Sequence, residues 1–140
     1  MKIILIAIAA IVVSGLLSIF ISRRRRKSGR FKQAPFVNQW KQLQKYCSNK
    51  ETWAKAIMAS DELLNKALKK RRFKGKRMGE RLVSAQHALS DNDGVWSSHN
   101  LSKKLKEGTN VRLREKQVKQ ALIHFRQALK DIGALPDDKR

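Results

Sequence analysis

Acidic residues are missing from the start of this chain: no Asp or Glu precedes Glu51. Over all 140 residues, 32 Lys and Arg stand against 11 Asp and Glu, a formal net charge of +21. Electrostatics must therefore shape the partners. Cysteine is nearly absent too. The single Cys47 excludes an intrachain disulfide and agrees with a reducing compartment; its simplest role is that of a small buried hydrophobe. No Cys-x-x-Cys or His-x-x-x-His spacing offers a metal site, and no Gly-rich phosphate loop follows a strand, so neither metal nor cofactor is expected. No stretch alternates apolar and polar residues at period two, which excludes half-buried strands, and there is no repeat or low-complexity tract.

What is present begins with an uncharged run from Ile3 to Ile21, followed at once by Ser22 and the cluster Arg23, Arg24, Arg25, Arg26, Lys27. As a helix this run would be roughly 28 Å long, close to the ~30 Å hydrocarbon core of a bilayer. Its length and the arginines behind it favour an uncleaved anchor over a signal peptide. Those arginines outweigh Lys2 and the amino terminus, so the positive-inside rule predicts an outside N-terminus and a cytoplasmic C-terminal domain. The same cluster is expected to touch anionic lipid headgroups.

The organisation that follows is an anchor with its basic flank over 1–27, a juxtamembrane linker over 28–35, a helical domain over 36–136 and a charged tail over 137–140. Phe36, Trp40, Leu43 and Cys47 recur at helical spacing and predict a short first helix. Ser48 and Glu51 match a capping box that would open a long second helix, with Trp53, Ile57, Ser60, Leu64, Ala67 and Leu68 as its buried stripe. Asp61 flanks that stripe and should pair with an Arg or Lys of a neighbouring helix. A third helix carries Leu82, Ala85 and Leu89. A fourth runs from about Val95 to Glu107, preceded by the capping turn Asp91 to Gly94 and closed by Gly108. Val118, Ala121, Leu122, Phe125, Ala128, Leu129 and Ile132 form the clearest stripe, ended by Gly133 and Pro136. The expected fold is all-α: an N-terminal transmembrane helix, then a compact antiparallel bundle of four or five helices.

Between the second and third helices lie Lys69, Lys70, Arg71, Arg72, Lys74, Lys76 and Arg77, with only Phe73 for stacking. With Lys103, Lys104 and Lys106 they offer a salt-sensitive footprint for phosphates on RNA, DNA or acidic lipid. The plain alternative is a solvated loop that keeps the protein soluble. His124 is expected on the polar surface of the last helix, and His99, beside Val95 and Ser102, to be partly buried and hydrogen-bonded. Arg81 and His87 form a literal Arg-x5-His, but six residues of straight helix turn them about 120° apart, away from a shared phosphate.

Trp53-Ala54-Lys55-Ala56-Ile57, Ser60-Asp61-Glu62-Leu63-Leu64, Met78-Gly79-Glu80-Arg81-Leu82, Val95-Trp96-x-x-His99 and Asp131-Ile132-Gly133-Ala134-Leu135 resemble a group of small uncharacterised bacterial proteins, many with an N-terminal anchor. Their soluble part is similar to HEPN-type helical domains, bundles that often dimerise and in active members cleave RNA through Arg-Asn-x-x-x-His. The resemblance spans roughly Trp40 to Leu135 and implies a bundle and a homodimer. That pattern would place its Arg, Asn and His at Ser102, Lys103 and Glu107, and none matches. The expected function is accordingly a single-pass membrane-anchored binding or adaptor protein, not an enzyme, contacting phosphates and a protein partner. A HEPN-like ribonuclease using Arg81 and His87, or a membrane-tethered subunit of a larger complex, is the alternative.

Overall fold

The computed structural model describes residues 31–138; the expected anchor, Arg23 to Lys27 and most of the expected linker lie outside them. The described residues form helices and no strand: α1 (Ala34–Gln44), two 3-10 turns (Lys45–Ser48 and Lys50–Thr52), α2 (Trp53–Lys70), α3 (Met78–Ser84), α4 (Asn92–Lys106) and α5 (Glu115–Asp131). Among them no helix is long and apolar enough to cross a membrane.

The central helix is α2, which packs against α1, α3, α4 and α5. It can do so because its apolar face is broad: Ala56, Ile57, Leu63, Leu64, Ala67 and Leu68 are all buried. Phe36, Trp40 and Leu43 of α1 pack into this core with Val95 of α4 and the whole expected stripe of α5. Ties at the helix ends set the directions. Gln33, before α1, donates to the Gly133 carbonyl at 3.0 Å. Arg71, after α2, donates from Nε to the Ile132 carbonyl at 2.6 Å. Ser90, before α4, donates from its amide and hydroxyl to Asp131 Oδ2 at 2.8 and 2.7 Å. The heads of α1 and α4 thus share one end of the bundle with the tails of α2 and α5. Successive long helices run antiparallel as expected, whereas α2 and α5 are parallel neighbours.

Local chemistry departs from the sequence expectation in four places. Ser48 does not cap α2; its hydroxyl donates to the Lys45 carbonyl, and Asn49 Oδ1 instead accepts the Glu51 amide at 3.0 Å. The chain is turned by two 3-10 segments there, so Cys47 is half-buried rather than part of α1. Pro35, expected in the linker, sits in the first turn of α1, where its missing N–H costs nothing. The third helix stops at Ser84, and Ala85 and Leu89 reach the core from the turns that follow. Asn92 Nδ2 takes the Gln86 carbonyl at 2.9 Å and holds those turns. The tail is not free: Asp138 pairs with Arg126 and Lys130, and these hydrogen bonds, Lys130's first, hold its carboxyl below the usual range.

The tails of α2 and α5 close with the same backbone motif. At α5 the Ala134 amide reaches the Leu129 carbonyl and the Gly133 amide that of Lys130, with Gly133 at φ +75°. At α2 the Phe73 amide reaches Leu68 and the Arg72 amide Lys69, but the left-handed position is Arg72, at φ +63°. A side chain there costs roughly 1–2 kcal/mol relative to an ordinary helical position.

Candidate phosphate-binding cleft

Asp61 faces inward from the middle of α2 and is only 2 % exposed. A carboxylate so placed needs partners, because its desolvation is uncompensated otherwise. His99, one turn beyond Val95 on α4, meets it: His99 Nδ1 lies 2.9 Å from Asp61 Oδ1. Lys106 Nζ, two turns further along α4, lies 3.4 Å from Asp61 Oδ2. The sequence points to a cationic partner, and the structure supplies Lys106, but the shorter contact is the imidazole. With Nδ1 hydrogen-bonded to the carboxylate, the tautomer is set and Nε2 is left as the ring's remaining polar atom.

That dyad forms the floor of an open cleft of about 480 Å³, within the size range of ligand sites. Its walls come from two directions. The head of α3 brings Arg77, Met78, Gly79 and Glu80, and α4 brings Trp96, Asn100, Lys103 and Lys106. Three cations, Arg77, Lys103 and Lys106, therefore line the cleft that holds the imidazole, against the carboxylates of Asp61 and Glu80. The cleft favours an anion on charge, and Asn100 and His99 add directional hydrogen-bonding groups.

The connection between α2 and α3 is more ordered than a solvated loop. Glu80 Oε2 accepts the Lys76 amide at 2.6 Å, Arg81 donates to the Lys76 carbonyl at 3.1 Å, and Ser84 donates to the Lys74 carbonyl at 2.6 Å. Gly75, at φ +148°, has Glu80 Cβ only 2.7 Å from where a Cβ would stand, so no other residue fits. This ordering divides the expected basic patch. Arg71 donates from Nε to the Ile132 carbonyl at the C-terminus of α5, where a cation also complements the helix dipole, and its side chain is otherwise exposed. Lys70 lies 5.6 Å from the Phe36 ring centroid, in a cation–π contact. Arg77 turns into the cleft. All seven cations of the connection remain exposed, and Phe73 is half-buried at the close of α2.

The pair Arg81 and His87 is not brought to one site. Arg81 is 7 % exposed, donating to Asn65 Oδ1 at 2.8 Å and to Lys76; His87 is exposed in the turns beyond α3. The guanidinium is a structural clamp between α2 and the connection. At the three positions of the HEPN pattern, Ser102 is fully buried with no partner for its hydroxyl among the described residues, Lys103 lines the cleft, and Glu107 follows the last residue of α4. His124 stays partly exposed on α5, with a partner the sequence does not indicate. It is half-buried, 2.9 Å from Asp91 Oδ2, because Asp91 caps α4 beside α5 and its second oxygen is free to pair.

Away from the cleft, Trp53 donates from Nε1 to the Cys47 carbonyl at 3.0 Å, and partial burial pushes the Cys47 thiol up. Among the described residues no cluster of three or more His, Cys, Asp or Glu is arranged to hold a metal ion. The sequence places Asp61 on the flank of a buried stripe and His99 as partly buried, but does not show their meeting or the part of Trp96. No protein-family model, curated protein or solved structure matches the chain.

Proposed function

We propose that this chain is a single-pass membrane-anchored binding protein, its N-terminus outside and its helical bundle cytoplasmic, whose cleft holds phosphate groups of a lipid headgroup or nucleic acid. The presence of Arg77, Lys103 and Lys106 in one cleft with His99 carries this reading. The uncharged run Ile3 to Ile21 and the cluster Arg23 to Lys27 support the anchor, and with it contact of those arginines with the bilayer surface. Membrane tethering concentrates such a domain near its ligands and suits an adaptor better than a diffusing protein.

The test measures binding of inorganic polyphosphate and of anionic vesicles across a salt series. Affinity should fall linearly on a log–log scale, and Arg77→Glu with Lys103→Glu should remove most of it while circular dichroism stays unchanged. Equal binding by the charge-reversed chain refutes the cleft as the phosphate site. Topology is read from Cys47. A membrane-impermeant thiol reagent should label it only after permeabilisation, and labelling of intact cells would reverse the orientation.

A further inference from the structure

Trp96 is the large aromatic side chain of α4 that the core does not take up; it remains half-exposed beside fully buried Val95. It forms a wall shared by two open clefts. One is the Asp61–His99 cleft with Arg77, Lys103 and Lys106; the other, about 600 Å³, is lined by Asp93, Ser97, Leu101, Lys104 and Gln117. Asn100 also belongs to both. The indole is held in place from two sides. Its six-membered ring approaches Gly79 of α3, with Cη2 3.4 Å from where a Cβ would stand, at van der Waals distance. His99 meets it edge to face, centroids 6.0 Å apart and planes at 73°, and His99 is itself fixed by Asp61. An aromatic ring so supported, with lysines on either side, is a preorganised stacking platform.

We propose that the paired clefts bind single-stranded nucleic acid, a base stacking on Trp96 while adjoining phosphates lie against Arg77, Lys103 and Lys106 on one side and Lys104 on the other. This rests on the phosphate-binding reading above and assigns its ligand class. A duplex keeps its base faces stacked inside, and a lipid headgroup has no aromatic face, so neither uses the indole. Asn100 offers a donor and an acceptor to a base edge from a position between the clefts. One ring and one amide read few bases, so recognition follows strandedness rather than sequence.

The experiment uses the full chain in nonionic detergent and measures fluorescence anisotropy with a 12-nucleotide oligouridine. A duplex of equal length, inorganic polyphosphate and mixed micelles of anionic phospholipid serve as competitors. The single strand should bind more tightly than each competitor at equal phosphate concentration. Trp96→Leu should lower its affinity relative to polyphosphate by about 5- to 100-fold without changing the salt slope, and Trp96→Phe should restore most of the ratio. Should Trp96→Leu lose its cooperative melt, cross-linking of a 5-bromouridine strand to the wild-type chain decides; the adduct should map to Trp96, and adducts confined to other residues overturn the proposal. Equal binding of single strand and polyphosphate, insensitive to Trp96, overturns stacking but leaves the phosphate reading intact. Tighter binding of anionic lipid that is lost in Arg77→Glu with Lys103→Glu assigns the cleft to lipid and overturns it. Binding of none of these probes refutes both readings.

Discussion

Removing the Asp61 side chain should destabilise the bundle far more than a single polar substitution normally does. In Asp61→Ala the buried acceptor of the His99 Nδ1–H disappears, a hydrogen bond to a charged group and so about 1.5–3 kcal/mol. The imidazole, whose side chain is 13 % exposed, must then find water in the cleft, which adds about 1 kcal/mol where it fails. Lys106 contributes little, about 0–1 kcal/mol, because its side chain is 45 % exposed and its contact with Asp61 is long. The total is about 1.5–5 kcal/mol. His99→Ala should cost a similar amount by stranding the carboxylate with only Lys106, and the double variant should lose less than the sum, with a coupling of about 1.5–3 kcal/mol. Asp61→Asn keeps an acceptor at Oδ1 and should recover roughly half of the loss. Urea unfolding of residues 32–140, a compact unit with its own core, measures all four; the midpoint should move at constant slope. Loss of less than about 0.5 kcal/mol in Asp61→Ala, with additive singles, would sink the account of this dyad as a fixed pair.

Four smaller tests address other parts of the fold. Phe125→Ala opens a cavity in a fully buried position of α5 and should cost about 3–5 kcal/mol in the same unfolding assay; a cost below about 0.5 kcal/mol would place the ring outside the core. Arg72→Gly relieves a side chain held at φ +63° and should raise stability by about 1 kcal/mol in thermal unfolding, whereas any loss would argue against the left-handed closure of α2. Ser102→Ala removes a buried hydroxyl with no partner among the described residues and should be neutral or stabilising by up to about 1 kcal/mol; clear destabilisation would reveal a hydrogen bond to that oxygen. Burial raises the Cys47 thiol, so its thiolate is scarcer at neutral pH than that of an exposed cysteine; iodoacetamide should react slowly and accelerate with rising pH until unfolding equalises the rates.

How much of this was legible without coordinates depended on range. The stripe from Val118 to Ile132, the stops at Gly108 and Gly133 and the Asp91 cap were all readable, because periodicity, left-handed glycines and capping oxygens act within one or two turns. The capping box at Ser48 was misread for the same reason in reverse. A correct local motif lost to the 3-10 turns that swing α1 onto α2. Arg71 shows the limit most clearly: in the sequence it is one cation among seven, and in the fold it closes the end of a helix 61 residues away.

The sequence by itself determined that the described domain is helical and strongly basic, since hydrophobic period and net charge are properties of the chain's order and composition. Tertiary structure alone decided which charges gather. Asp61 and His99 stand 38 positions apart, and Arg77, Trp96 and Lys106 come from two helices whose relation no local rule specifies. Only the docking of α4 on α2, with α3 also packed on α2, turns dispersed cations into a cleft with a carboxylate-bound imidazole. Long-range packing sets such a meeting because burial of apolar faces, not attraction between its polar members, carries the folding free energy.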